Sequence, residues 1–228
     1  MLIWDMTKTQ IKFCGITSVE DYLFINDLID VNLIGMIFTN KSPRCLTIKG
    51  ANKILESTKK HKSIVGVFMN QSEDNINNIL TEVDLDILQF HGDETLDFCK
   101  SFNKPFIKTL HISNQSAEYN SDFKNVANYF LLDTSIDNKH GGTGKKFNWD
   151  LLSKNNTISD LINNSSYFIA GGLNHSNVAE LIIQHKPYGI DVSSGLESSI
   201  GKKDHLLMKK FIENVRISEK ENYEKNKL

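Results

Sequence analysis

Eight short apolar runs recur along the chain: IKFCG (11–15), LIGMIF (33–38), IVGVFM (64–69), DILQFHG (86–92), PFIKTLHI (105–112), YFLLDT (129–134), YFIAGG (167–172) and GIDVSSG (189–195). Each is dense in Ile, Leu, Val or Phe and lacks strict polar alternation, which is how strands covered on both faces read. Amphipathic segments lie between them. SVEDYLFINDLID offers a serine N-cap followed by acids, and NHSNVAELIIQH sets Val178, Leu181 and Ile182 on one helical face. The three prolines, Pro43, Pro105 and Pro187, fall in connections or at strand entrances, where a missing N–H does little harm.

Strands that alternate with helices imply parallel pairing through right-handed crossovers. The two candidate architectures are a closed (β/α)8 barrel and an open doubly wound sheet. Eight evenly spaced strands favour the closed form, and no G-x-G-x-x-G fingerprint follows the first strand. The predicted fold is therefore a single-domain α/β protein, a (β/α)8 TIM barrel over residues 11–217. Residues 1–10 are read as an N-terminal extension and 218–228 as a polar tail that prolongs the last helix and frays.

Composition narrows the function. The chain has 228 residues, 39% hydrophobic and 24% charged, enough for one large core. Its net charge of −2 argues against a nucleic-acid partner, which calls for a basic face. Three widely spaced cysteines, Cys14, Cys45 and Cys99, form no C-x-x-C pair, so neither a disulfide framework nor a zinc site is expected, and a reducing cytoplasm fits. No run reaches the roughly 18 apolar residues that a membrane span needs, and MLIWDMTKTQ does not read as a secretory leader.

Barrels of this kind carry their chemistry where strands end and βα loops begin. Small residues end the last two runs, Gly171 and Gly172 in one, Ser193, Ser194 and Gly195 beside Asp191 in the other. One such turn is ordinary; two, at both positions where this fold binds phosphate, point to a phosphorylated small-molecule substrate. Cys14 stands at the end of the first run, either as a small core residue or as a base that needs a nearby cation to ionise. Asp133 ends the sixth run; it suits an N-cap or a loop ion pair, or a general acid whose pKa is raised by apolar surroundings. After it, SIDNKHGGTGKKF reads as a lid. Arg44 follows a Ser-Pro that fixes its backbone, and its guanidinium suits a planar carboxylate, although most surface arginines are merely solvated. His91 is a ligand-facing donor or a satisfied strand-end histidine. No His, Asp or Glu cluster has metal-ligand spacing along the chain, so no metal is expected.

In the order KFCGIT, GMIFTNKSPR, VGVFMN, LDILQFHGDE, LLDT…GGTGKKFNWDLL, IAGGLNHSNVAELI and GIDVSSGLESSIGKKDH, these stretches resemble the phosphoribosylanthranilate isomerases of tryptophan biosynthesis. The resemblance covers about residues 11 to 216. It implies a cofactor-free Amadori rearrangement in which Asp133 matches the general acid and Cys14 the general base. Arg44 matches the residue that holds the anthranilate carboxylate, with the phosphate on Gly171, Gly172, Ser194 and Gly195. Phe13 and His140 depart from the commoner pattern, and neither carries one of these roles. The family resemblance leaves monomer or homodimer open.

Three other readings stay in view. A histidine-pathway isomerase would carry an aspartate in place of Cys14. Indole-glycerol-phosphate synthase would use a lysine acid, for which Lys108 is a candidate, and a glutamate that the first run lacks. A catalytically silent phosphate-binding barrel would have no use for both Cys14 and Asp133.

Overall fold

A computed structural model describes residues 8–59, 61–112, 120–136, 139–140 and 149–225. Eight parallel strands form the barrel: β1 (Gln10–Cys14), β2 (Leu33–Ile37), β3 (Ser63–Phe68), β4 (Ile87–Phe90), β5 (Phe106–Ile112), β6 (Tyr129–Ile136), β7 (Tyr167–Ile169) and β8 (Gly189–Val192). Each pairs with the next, and β8 pairs with β1, so the sheet closes on itself. The glycine and serine turns read at the ends of the seventh and eighth runs lie just beyond the strands. β6 runs past Asp133 because Ser135 and Ile136 pair antiparallel with Lys139 and His140.

The helices are α1 (Val19–Asn26), α2 (Ile48–Leu55), α3 (Glu73–Glu82), α4 (Leu96–Lys100), α5 (Leu151–Lys154), α6 (Asn156–Asn164), α7 (Val178–His185) and α8 (His205–Lys225). Five begin at a side chain that accepts from the third N–H of the helix: Ser18, Thr47, Ser72, Thr95 and Asn155. Each satisfies a donor that the helix cannot satisfy itself. Among the described residues the crossover from β5 to β6 holds only a 3₁₀ turn, Ser121–Phe123. None of the described helices is long and apolar enough to cross a membrane.

Side chains alternate across each strand, which divides the apolar residues into two cores. Ile11, Phe13, Ile34, Met36, Leu88, Phe90, Phe130 and Leu132 face outward under the helices. Leu33, Val65, Ile87, Ile107, Leu131, Phe168 and Ala170 fill the barrel interior. The same parity sends Lys12, Cys14, Gln89, Thr109, Asp133 and Asp191 inward. Continuous apolar runs without polar alternation are thus what two covered faces require.

The expected boundaries at residues 10 and 218 are not breaks in the structure. Gln10 is already in β1, and α8 continues unbroken to Lys225 with Ser218 buried. Arg216 ties this helix to the rest: Nε donates to Asp30 Oδ1 at 2.7 Å and Nη1 to the Thr9 carbonyl at 3.2 Å. Glu219 in turn accepts from the Thr9 N–H at 2.6 Å. A segment read as a fraying tail is therefore held through Glu219 against the start of β1.

At the end of the barrel where the strands begin, one device recurs on alternate strands. Asn32, just before β2, accepts from Ile11 N–H of β1 at 2.9 Å. Asp86 does the same for Ile64 of β3 at 2.7 Å, and Asn128 for Phe106 of β5 at 3.0 Å. Each closes a backbone donor at a strand entrance. Asn32→Ala is expected to lower the unfolding free energy by about 1–3 kcal/mol, the cost of a buried donor left unsatisfied. Urea denaturation monitored by circular dichroism measures it, and an unchanged midpoint contradicts the capping role.

Candidate active site

A pocket of about 200 Å³ opens at the C-terminal ends of the strands. Its lining brings together Cys14, Arg44, His91, Asp133, Gly171, Gly172, Asp191, Ser193 and Ser194, nine of the ten residues singled out by sequence. Gly195 is the exception. A Cβ there would come within 1.9 Å of the Leu173 carbonyl oxygen, so Gly195 sits behind the wall, where the loops after β7 and β8 abut. Its lack of a side chain draws those two loops into one cradle.

Gly171 and Gly172 take φ values of +87° and +64°, a backbone region that side chains strongly disfavour. Asn177 holds this turn by donating to the Gly172 carbonyl at 2.9 Å and accepting from Asn174 N–H at 2.9 Å. The cradle is thus built from small residues at positive φ and short turns, a form suited to close approach of an anion.

Cys14 is buried, on the inward face of β1. The neighbouring rung on β2 is Gly35, and a Cβ there would stand 2.6 Å from Cys14 Sγ. That glycine leaves the sulfur its room. Two residues earlier on the same face, Lys12 is completely buried and donates to Asp191 Oδ2 at 2.9 Å. Burial alone would push the Lys12 ammonium down; Asp191 and Cys14 more than offset it, and the net direction is upward. For Cys14 the balance falls the other way. Burial pushes the thiol up, and Lys12 and Lys203 only partly oppose it. Asp191 Oδ1 is buried in the pocket wall without a hydrogen-bond partner among the described residues.

Asp133 lies across the barrel on β6, one rung from His111 on β5. His91 Nε2 points at Asp133 Oδ2, 3.5 Å away. Its other ring nitrogen, Nδ1, has Gln89 Nε2 at 3.3 Å and Thr109 Oγ1 at 3.1 Å. These two contacts hold the ring with Nε2 towards the carboxylate. His111 Nε2 donates to the His91 carbonyl at 2.9 Å, which fixes where His91 stands. Spacing along the chain shows no metal cluster, yet folding sets donor atoms of His91, His111 and Asp133 within 4.8 Å of one another. They come from three adjacent strands, a proximity that linear spacing does not carry.

Arg44 reaches the pocket from the loop after β2, and its guanidinium is already engaged. Nε and Nη2 each donate to Glu197 at 2.6 Å. Lys203, also buried, donates to Glu197 Oε1 at 2.8 Å and to the Ser193 carbonyl at 3.0 Å. Both residues lie on a short antiparallel ladder, Glu197–Ser199 with Lys202–Lys203. Lys108 turns away from the pocket; it donates to Gly92 O at 2.6 Å and Glu94 Oε2 at 3.0 Å, and is absent from the lining. It is not placed to act as the lysine acid of a synthase. The Gly-rich lid read after β6 lies mostly outside the described residues.

Alkylation kinetics test the electrostatics of Cys14. The thiolate is the reacting form, so the rate rises with pH through the thiol's pKa. In a Cys45→Ser background its midpoint is expected above the ordinary thiol value of 9.0, since burial disfavours the anion. Lys12→Met removes the nearest cation and is expected to move the midpoint higher still. Cys99, pushed up to about 12 by burial, stays silent over the same range. A midpoint unmoved in Lys12→Met contradicts the pairing.

Comparison with known proteins identifies the family. The sequence profile of N-(5'phosphoribosyl)anthranilate (PRA) isomerase matches residues 11–214. The N-(5'-phosphoribosyl)anthranilate isomerase of Legionella pneumophila (strain Paris) is 40% identical over 213 residues, covering 92% of this chain and 98% of its own. That of Pseudomonas fluorescens (strain Pf0-1) is 37% identical over 212 residues, covering 92% and 100%. The phosphoribosyl anthranilate isomerase of Thermotoga maritima superposes with a TM-score of 0.76 at 32% identity, covering 91% of this chain and 98% of that one. A further structure of such an isomerase, in complex with reduced 1-(o-carboxyphenylamino)-1-deoxyribulose 5-phosphate, superposes with a TM-score of 0.73 at 30% identity. With its barrel, its pocket and these relatives, the chain belongs to the N-(5'-phosphoribosyl)anthranilate isomerase family.

Proposed function

We propose that this chain isomerises N-(5'-phosphoribosyl)anthranilate to 1-(2-carboxyphenylamino)-1-deoxyribulose 5-phosphate, with Asp133 as general acid and Cys14 as general base. The observation that carries the reading is that both side chains line one pocket together with Arg44 and the glycine–serine cradle.

The chemistry balances within the substrate. Asp133 gives a proton to the ribose ring oxygen as the bond from that oxygen to C1′ breaks, and the anilinic nitrogen lone pair forms the C=N bond. The Cys14 thiolate then removes the proton from C2′. The electrons of that C–H bond form C1′=C2′ and return charge to nitrogen, giving an enol-amine that tautomerises to the ketose. No electrons leave the substrate, so no redox partner enters the sequence of steps.

Each residue suits its part. Asp133 lies at the pocket wall with His91 Nε2 3.5 Å from its Oδ2, a neighbour that orients the carboxyl group. Cys14 begins mostly as thiol; at an ordinary pKa of about 8.5 only a few per cent is ionised at neutral pH, and burial lowers that fraction. Lys12 and the positive iminium carbon skeleton oppose the loss. Asp191 Oδ1 offers an acceptor for a ribose hydroxyl, and Arg44 a donor for the anthranilate carboxylate. Gly171, Gly172, Ser193 and Ser194 receive the phosphate, with Gly195 setting the close approach of the two loops behind them. Cysteine usage and charge balance favour action in the cytoplasm, apart from nucleic acid and membrane; the strand-end turns favour a small phosphorylated substrate, and the family resemblance leaves monomer or homodimer open.

Asp133→Asn is expected to lower kcat by at least about 10²-fold, the scale of a positioned acid, and Cys14→Ala by a similar factor. Loss of substrate fluorescence, with phosphoribosylanthranilate generated in situ, follows the reaction directly. Near-normal turnover in either variant removes that residue from its role, and a static signal with the native protein favours a silent binding barrel instead.

A further inference from the structure

Arg44 meets an internal carboxylate before any substrate arrives, and the way it does so has a geometric consequence. A guanidinium presents its N–H groups along two usable edges, a side edge of Nε with one Nη and an end edge of both Nη groups. Glu197 occupies the side edge completely, through Nε and Nη2 at 2.6 Å each. The end edge, with one hydrogen of Nη1 and the second of Nη2, remains for another planar anion. Arg44 lines the pocket and Glu197 does not, so the anchoring carboxylate stands behind the guanidinium. The stem is confined as well: a Cβ on Gly15 would lie 2.6 Å from Arg44 Cδ.

Lys203, whose side chain is fully buried, also donates to Glu197; burial pushes its ammonium down, and Glu197 only partly opposes that. Glu197 stays ionised under these two partners: burial pushes its carboxyl up, but Arg44 and Lys203 hold it below the usual range.

We propose that Glu197 is a positioning residue that determines specificity, aiming the end edge of Arg44 at the aryl carboxylate of the substrate while Lys203 helps to hold Glu197 in place. This rests on the reading of Arg44 as the carboxylate clamp. Glu197 acts through Arg44 and touches no reacting atom.

The test compares two chemically prepared substrates, N-(5-phosphoribosyl)anthranilate and N-(5-phosphoribosyl)aniline, which differ only in the carboxylate. Chromatography of the aryl-amino ketose follows both. In Glu197→Gln the amide keeps one acceptor oxygen but sets an N–H₂ against the guanidinium, so the side-edge grip is broken. The ratio of kcat/KM for the two substrates is expected to fall at least about tenfold, the scale of one charge-assisted hydrogen bond. The fall should come from a raised KM for the carboxylated substrate, with kcat and the aniline substrate little changed. Arg44→Ala should abolish the discrimination, and Arg44→Ala with Glu197→Gln should lose no more of it than Arg44→Ala alone.

Equal loss with both substrates in Glu197→Gln marks a structural role and overturns the proposal. Lost discrimination in Arg44→Ala but not in Glu197→Gln overturns this proposal and leaves the Arg44 reading standing. Unchanged discrimination in Arg44→Ala removes both. Should Glu197→Gln fail to fold, Glu197→Asp decides: its shortened carboxylate keeps the charge and loses the reach, and discrimination equal to the native protein overturns the proposal.

Discussion

Closing eight parallel strands into a cylinder forces every second side chain into one narrow interior, and the rest of this molecule follows from that constraint. The lower part of the interior is filled by Leu33, Val65, Ile87, Ile107, Leu131, Phe168 and Ala170. Towards the upper rim the same inward positions carry Lys12, Cys14, Gln89, Thr109, Asp133 and Asp191. Groups that water would otherwise solvate must there find partners among themselves. The Lys12–Asp191 pair and the row Gln89–His91–Asp133 are the result. A barrel core and a reactive site are thus one set of alternating positions, changed from apolar to polar partway along β4, β5 and β6, where Ile87, Ile107 and Leu131 give way to Gln89, Thr109 and Asp133.

The two halves of the rim are furnished differently. Around Cys14 gather Lys12, Lys203 and Arg44, each paired with Asp191 or Glu197; Lys12 and Lys203 favour a thiolate, and burial outweighs them. Around Asp133 stands the His91 ring with its partners Gln89 and Thr109.

Much of the fold was legible in the sequence because it is written in local periods. Apolar runs and capping residues such as Ser18 and Thr47 mark strands and helices within a few residues of one another. The sites at strand ends were legible for a related reason, since the fold itself dictates where loops gather. Lys12 was passed over although it carries a signal, a charge set between Ile11 and Phe13 two positions before Cys14. Glu197 and Lys203 carried less: Glu197 pairs with Arg44 across 153 residues and with Lys203 across a ladder, and nothing local announces either contact. The boundary read at residue 218 followed polarity alone, whereas Glu219 and Arg216 spend their charges on Thr9 and Asp30.

The caps at the lower rim have a consequence for how the cylinder divides. Asn32 serves β1, Asp86 serves β3 and Asn128 serves β5, so each of these three strands borrows its closure from the segment leading into its even successor. Strands are therefore tied in couples. A chain severed after the fourth strand would leave each fragment with its own borrowed closures intact, whereas a cut inside a couple would strand a bare amide. Split and recombined halves of this protein have a natural seam, and it runs between couples.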